Sequence, residues 1–454
     1  MKLNILIINE YSEEFFNFFN DKEHLEDLIE INSFSFEKSD TLLVPKSFSS
    51  DNQHYLLVGS NNCDSASQWV KLGAIVGKSL LKDYEIDITD LTEDADIENF
   101  VFGLMISQYS FNQYMSDPKK SISISINESK YSKEVKDMIS AIFWARDMVN
   151  HPSLTKSPTF FENEVINLIK DTEIQLTSYD HKWLKDNNFG GILGVGSGSD
   201  REPKLLIGEY NKNAETQIAV IGKGVLFDSG GLSLKSPSGM ETMKSDMAGA
   251  ATAWGVIKLV AEQKLNIGVK VYTPLVENMP SGSAIRPGDV LTLRNNKTIE
   301  VLNTDAEGRL IMADALAYAS EFKPTVICDI ATLTGSAYVA LGLDIGAFFT
   351  NNKDISKKFF ESNNNSFENF HELPLFDGYK KLIKSEIADM QNTGGRFGGA
   401  ITAALLLEEF VDNTDWFHLD IAGPGRSRDI DPIYSKGGTG FGLKGIYNFI
   451  KSYL

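Results

Sequence analysis

The run Ile218-Ala-Val-Ile-Gly-Lys-Gly-Val-Leu-Phe-Asp-Ser-Gly-Gly231, with the stretch Met247 to Glu262 and then Val269-Lys-Val-Tyr272 behind it, decides the fold. Ile218 to Ile221 is short, apolar and without polar alternation, as a strand buried on both faces should be. A glycine-rich turn follows, then an apolar helical stretch, then a second short strand. Outward from this unit the pattern repeats, with strands at Val326 to Ile330 and Phe417 to Ile421 and a helical stretch at Met312 to Glu321. Such alternation predicts an α/β domain with a central mixed, largely parallel sheet flanked by helices on both sides. In such sheets ligands bind beyond the carboxyl ends of the strands, so the polar segments after each strand are where chemistry belongs.

The alternation begins near Ser157. Before it, residues 132–152 read as a connecting helix that ends at His151-Pro152, where proline disfavours further helix. The expected organisation is a smaller N-terminal domain over 1–131, the connecting helix over 132–152 and the chemistry-bearing domain over 153–454. Within 1–131, short apolar runs such as Tyr55-Leu-Leu-Val-Gly59 mix with helical stretches such as Trp69 to Leu81, and no motif is recognisable. Met1-Lys-Leu-Asn-Ile-Leu-Ile-Ile8 is followed by Glu10, Glu13 and Glu14, so it reads as a first buried strand and not as a signal peptide. No run approaches the roughly 18 uncharged apolar residues of a membrane helix, so no membrane partner is expected. Cys63 and Cys328 are too few for a disulfide scaffold, which suits a reducing compartment and a cytoplasmic location. The formal net charge of −19 repels phosphate backbones, so nucleic acid is not expected as the main partner.

Three segments carry chemistry. Gly222-Lys-Gly-Val-Leu-Phe-Asp-Ser-Gly-Gly231 lacks the third glycine of a dinucleotide fingerprint, because Phe227 stands there, and it lacks P-loop spacing. Alone it reads best as a structural turn with a capping Asp228. In the second segment Asp246 precedes an Ala- and Gly-rich helical stretch, where a capping aspartate is common, and Lys235 taken singly is a surface lysine. The third, Asn303-Thr-Asp-Ala-Glu-Gly-Arg309, packs two carboxylates and a guanidinium into five residues; a capping box with an internal salt bridge and a metal site are equally good readings of it. Together the three shift the balance. Four carboxylates, Asp228, Asp246, Asp305 and Glu307, arrive from three post-strand segments, and clustered carboxylates need a compensating cation. Oxygen-rich sites suit divalent ions, and four carboxylates can hold two of them for hydrolysis. No His-Glu-x-x-His sequence occurs and none of the six histidines forms a ligand-like pair, so any metal chemistry is carboxylate-based.

These segments resemble the leucyl (cytosol) aminopeptidase family, two-metal exopeptidases. So do Ala145-Arg-Asp-Met-Val-Asn-His-Pro-Ser153, Ala331-Thr-Leu-Thr-Gly335, Asn392-Thr-Gly-Gly395, His418-Leu-Asp-Ile-Ala-Gly-Pro424 and Lys436-Gly-Gly-Thr-Gly440, which extends the resemblance from about Ala145 to the C-terminus. The resemblance implies that Lys223, Asp228, Asp246, Asp305 and Glu307 hold two divalent ions, Mn²⁺ or Zn²⁺, with Mg²⁺ or Co²⁺ as further candidates. The tighter ion takes Lys223, Asp228, Asp246 and Glu307; the exchangeable one takes Asp228, Asp305 and Glu307. It implies a hydroxide held between the ions, Lys235 stabilising the oxyanion, and Arg309 holding a bicarbonate that moves the proton. Met243, Thr332, Leu333 and Gly335 fall where the family lines the pocket for the first side chain. An apolar pocket implies release of Leu and other apolar N-terminal residues with broad specificity, since apolar groups are discriminated by only about 1–3 kcal/mol per methylene.

The resemblance further implies a homohexamer, a dimer of trimers, acting on peptides, with residues 1–131 as the family's smaller α/β domain. Some relatives bind DNA in a regulatory or architectural role; the charge of −19 counts against that alternative here. Two departures from the family pattern stand out. The proline that usually follows the catalytic lysine directly lies one position later, at Pro237, and Gly425-Arg-Ser-Arg-Asp429 has no counterpart in the pattern.

Overall fold

The computed structural model describes every residue except 1, 81, 91, 93–95, 118–123, 127–130 and 429–430. Met1, Leu81 and Asp429, which end three of the segments read from sequence, lie outside the described residues. The chain divides into two compact units. The first is Met1–Ile139 with Asn365–Phe367 and Asp429–Lys436; the second is Ser140–Asn364, Glu368–Arg428 and Gly437–Leu454. The division falls inside the helix Lys133–Asn150.

In the first unit a five-stranded sheet runs in the order Thr41–Val44, His54–Gly59, Lys2–Ile8, Tyr84–Asp90 and Ile124–Ile126. Only the first pair is antiparallel. Successive side chains of a strand point to opposite faces. Leu3, Ile5 and Ile7 accordingly pack with Trp69, Leu72 and Phe100, while Leu6 and Ile8 pack with Phe15, Leu25 and Ile29. Both faces are buried, which is why Lys2–Ile8 is an almost continuous apolar run.

The second unit is built on a larger sheet. Its order is Asn369–Glu372, Ile345–Thr350, Trp416–Asp420, Val326–Ala331, Gln217–Gly222, Gly268–Asn278, Lys204–Tyr210 and Gln175–Tyr179, with Gly224–Asp228 beside the end of Gly268–Asn278. The four central strands, Trp416–Asp420 to Gly268–Asn278, are mutually parallel, and antiparallel pairs flank them. The sheet is mixed with a parallel centre, as the alternation predicted. Ala219, Ile221, Ile327 and Ala331 join a core with Leu310, Ile311 and Leu405 from the helices Gly308–Ser320 and Gly399–Glu408. The intervening residues Val220, Cys328 and Ile330 are buried too, on the side where the helix Ala248–Glu262 packs. Helices on both faces explain why these strands carry no polar alternation. Because the central strands run the same way, Gly222, Asp228, Asn278, Ala331 and Asp420 all end at one edge of the sheet.

Candidate active site

At that edge the chain leaves strand geometry. Lys223 separates the strands Gln217–Gly222 and Gly224–Asp228, which follow one another along Gly268–Asn278, and Asp228 ends the second of these. The turn after it uses Gly230 and Gly231 at φ +87° and +63°, a region that side-chain-bearing residues rarely occupy. A short helical turn, Met243–Ser245, leads to Asp246 and the helix Ala248–Glu262. On the far side, Asn303 to Glu307 links the strand Thr298–Glu300 to the helix Gly308–Ser320.

The sequence-level reading of Asp246 as a helix cap is corrected here: the N-cap position falls on Met247 and no side chain caps it. Instead Asp246 Oδ1 receives Lys223 Nζ at 2.9 Å and the Thr332 hydroxyl at 2.8 Å. The capping-box reading of the third segment fails as well, since Glu307 stands at the N-cap of Gly308–Ser320 without a side-chain cap bond. Glu307 Oε1 pairs with Lys223 Nζ at 2.9 Å. Lys223 Nζ also donates to the Thr332 carbonyl at 2.9 Å. Lys235, read singly as a surface lysine, bridges Asp228 Oδ2 at 2.8 Å and Asp305 Oδ1 at 2.5 Å.

Asp228, Asp305 and Glu307 each offer an oxygen, all within 4.8 Å of one another. Burial raises the carboxyl of Asp228, and Glu307 adds to it against the pull of Lys235 and Lys223, pushing it up to about 7. Burial likewise holds Asp246 well above the usual range against Lys223, and raises Asp305 against Lys235. Glu307 is also fully buried, yet Lys223 and Lys235 outweigh that and hold it below its ordinary value. Burial opposes the charge on both lysines; Asp246 and Glu307 overcome it at Lys223, Asp228 and Glu307 at Lys235, so both ammonium groups are held above their ordinary pKa. With all four carboxyls ionised, the two ammonium groups leave two negative charges uncompensated, which is why burial raises three of the four. Asp246 Oδ2 and Glu307 Oε2 are buried with no hydrogen-bond partner among the described residues. Buried carboxylate oxygens without donors are costly unless a cation meets them. The donor set therefore fits divalent cations.

One glycine, one amide and one hydroxyl make this approach possible. A Cβ on Gly308 would lie 2.5 Å from Lys223 Cε and 2.6 Å from its Nζ, so the glycine of the third segment gives Lys223 its path to Glu307. Asn278, at the end of its strand, donates from Nδ2 to Asp228 Oδ1 at 2.8 Å and to the Thr304 carbonyl at 3.0 Å. The Thr304 hydroxyl donates to the Gly230 carbonyl at 2.6 Å and accepts the Ser233 N–H at 2.8 Å, sewing the first segment to the third. Asn278 and Thr304 were not singled out from sequence. The rule that sites lie at carboxyl strand ends would have found Asn278, had the strand Val269 to Tyr272 been read to its full length.

Arg309 is buried on the first turn of Gly308–Ser320. Its Nη1 donates to the Asn392 carbonyl at 2.9 Å, while Nε has no partner among the described residues. Burial, partly offset by Glu307 and Asp420, lowers the guanidinium to about 10. Thr332 and Leu333 leave the strand Val326–Ala331, and Gly335 opens the helix Gly335–Leu341. Asp420 holds that turn by accepting the Leu333 N–H at 3.1 Å and the Thr334 hydroxyl at 2.7 Å. Met243, half-buried, opens the turn before Asp246.

Comparison with known proteins bears on this arrangement. The family model described as "Cytosol aminopeptidase family, catalytic domain" matches residues 143–447. The chain belongs to the cytosol aminopeptidase family. It is 40% identical over 364 residues to a probable cytosol aminopeptidase of Syntrophotalea carbinolica, covering 77% of this chain and 73% of that one. A probable cytosol aminopeptidase of Nitrobacter winogradskyi is 36% identical over 436 residues, 91% of this chain and 87% of the other. Among solved structures, the cytosol aminopeptidase from Coxiella burnetii superposes with a TM-score of 0.88 at 29% identity, over 99% of this chain and 96% of that one. The bottromycin maturation enzyme BotP in complex with Mn superposes at 0.89 and 26% identity, over 100% and 99%. Family membership makes this chain a hydrolase, a metal-dependent aminopeptidase acting on peptides. No helix among the described residues is long and apolar enough to cross a membrane.

Proposed function

We propose that this chain releases N-terminal amino acids from peptides, Leu and other apolar residues preferred with broad specificity, using two divalent ions held by Lys223, Asp228, Asp246, Asp305 and Glu307. The observation that carries the proposal is the convergence of Asp228, Asp305 and Glu307 within 4.8 Å, beside buried oxygens of Asp246 and Glu307 that have no partner among the described residues. Two divalent ions supply a water acidified enough to act as the hydroxide nucleophile near neutral pH, and a Lewis acid for the scissile carbonyl. The complex of BotP with Mn supports Mn²⁺ as one occupant, with Zn²⁺, Mg²⁺ or Co²⁺ compatible with the same donors.

The chain's own residues do the rest. Lys223 serves as a ligand only once deprotonated, and the carboxylates now holding its ammonium are the groups that would share the cations. Lys235, drawn between Asp228 and Asp305, is the cation aimed at the oxyanion that develops on the scissile carbonyl. Arg309 keeps an Nε without a partner among the described residues in a buried setting, which suits a small oxyanion such as bicarbonate as proton carrier. Met243, Thr332, Leu333 and Gly335 form the wall against which the first side chain lies. Residues 153–454 carry this chemistry, 132–152 connect, and 1–131 serve assembly into a homohexamer, a dimer of trimers, in the cytoplasm. The charge of −19 disfavours a DNA-binding role.

The test compares leucine p-nitroanilide with its N-acetylated form and a panel of other N-terminal residues. Cleavage of the free amine alone, fastest for Leu- and Met-like residues, supports an exopeptidase; equal cleavage of the blocked compound overturns it.

A further inference from the structure

Asn392 opens the segment Asn392-Thr-Gly-Gly395, whose resemblance to the family assigned it no role. Its side chain is fully buried. Oδ1 accepts the N–H groups of Leu302 at 2.9 Å and Asn303 at 3.2 Å. Nδ2 donates to the carbonyls of Asn303 at 2.6 Å and Ala306 at 3.3 Å. The main-chain N–H donates to the Glu300 carbonyl at 2.9 Å, and the main-chain carbonyl accepts Arg309 Nη1 at 2.9 Å. One residue thus grips both polar edges of the loop 302–306 and the guanidinium that follows it.

That loop needs an outside hold. The strand Thr298–Glu300 ends before it and the helix Gly308–Ser320 starts after it, so Asp305 stands on backbone outside any regular element and Glu307 stands where the loop enters the helix, at its N-cap. Only a side chain with an acceptor and two donors on one planar group can serve both N–H groups and both carbonyls. Aspartate lacks the donors and serine the reach. The attachment of Arg309 to the main chain of the same residue couples the guanidinium to the carboxylates.

We propose that Asn392 is a positioning residue of the reaction: it sets Asp305 and Glu307 at ion-holding separation and fixes Arg309 relative to them. The proposal rests on the two-ion reading of the site. It extends the set of functional positions to a segment 83 to 90 residues downstream of the groups it controls.

The experiment compares wild type, Asn392→Asp and Asn392→Ala. Asn392→Asp keeps the shape and Oδ1 but turns the donor edge into an acceptor facing two carbonyls. Mn²⁺ binding to ion-free protein is followed by calorimetry, with kcat, KM and thermal unfolding measured on the same samples. Groups that orient metal ligands are typically worth about 10–100-fold in affinity or activity. We expect a loss of that size in Mn²⁺ affinity and in kcat, with KM little changed and a folded Asn392→Asp protein. A folded Asn392→Asp protein with unchanged Mn²⁺ affinity and kcat overturns the proposal. A wild type that binds no Mn²⁺ overturns the two-ion reading beneath it, a separate result. Hydrogen exchange on wild type holds even where the variants do not fold: the Leu302 and Asn303 amides should be protected, and exchange at open-loop rates overturns the clamp.

Discussion

Gly308→Ala is the substitution on which the site geometry bears most sharply. Helix propensity favours it, because alanine at a helical position is about 1 kcal/mol better than glycine. The cost comes from elsewhere. The new Cβ would stand 2.6 Å from Lys223 Nζ, and a comfortable contact needs about 0.8 Å more. Lys223 is a flexible side chain, but its Nζ is held by Asp246, Glu307 and the Thr332 carbonyl, each at 2.9 Å. A shift of that size takes at least one of these contacts beyond hydrogen-bond range. Overpacking typically costs about 1–3 kcal/mol, so after the propensity gain the net loss of stability should be at most about 2 kcal/mol. The catalytic loss should be larger in effect, since a misplacement of about 1 Å can lower a rate about 100-fold. Steady-state hydrolysis of leucine p-nitroanilide and urea unfolding measure the two. Gly282→Ala is the control, because a Cβ there meets nothing within 4 Å. A Gly308→Ala enzyme with full activity and stability would refute the packing of Lys223 against this glycine.

Other outcomes follow from the same geometry. Lys235→Ala should lower kcat by about 10²–10³ with KM little affected, as for loss of an oxyanion donor; a variant with undiminished kcat would remove Lys235 from the chemistry. Asn278→Ala should weaken Mn²⁺ binding about 10–100-fold, because Asp228 loses the amide that orients it, and calorimetry reads this directly. Asp314, buried while accepting the N–H groups of Ile192 and Arg294, has its carboxyl pushed up by burial to about 7. A folded pKa above the unfolded one gives stability that is complete below the unfolded value and is lost as pH rises through the folded one. Wild type should therefore lose stability relative to Asp314→Asn between about pH 4 and 7, by up to about 1.4 kcal/mol per pH unit. Urea unfolding at pH 5 and 7 measures the difference, and a constant gap would show that Asp314 does not titrate there.

The parallel centre of the second unit was legible because its strands are apolar on both faces, as at Val220 beside Ile221 and Cys328 beside Ile327. The strand Gly268–Asn278 is legible from sequence only to Tyr272, and Pro274 beyond it is a residue that central strands rarely carry. Its register supplies the reason that the strand continues. On one side it pairs with Gln217–Gly222 up to Tyr272 and with Gly224–Asp228 from Leu275, so Pro274 lies between two partners where no ladder bond is needed. Asn278 was hidden with the rest of that strand. The carboxylates were legible as a set but ambiguous one by one, since an aspartate before a helix caps far more often than it binds. What decided Asp246 was Lys223 and Thr332, 23 and 86 positions away, a pairing that local pattern does not carry. The clamping amides make side-chain bonds to main-chain groups of distant loops, and such bonds leave no periodicity. In the first unit the alternation of Leu3, Ile5 and Ile7 with Leu6 and Ile8 was readable as a buried strand, and it carries packing without chemistry.

The central claim is a two-ion centre on Lys223, Asp228, Asp246, Asp305 and Glu307. The most direct test titrates ion-free protein with Mn²⁺, counting bound ions and measuring leucine p-nitroanilide hydrolysis in the same samples. Activity should be absent at the start and reach its plateau as the second equivalent per chain is taken up. Full activity in ion-free protein, or a plateau reached with one ion bound, would contradict it.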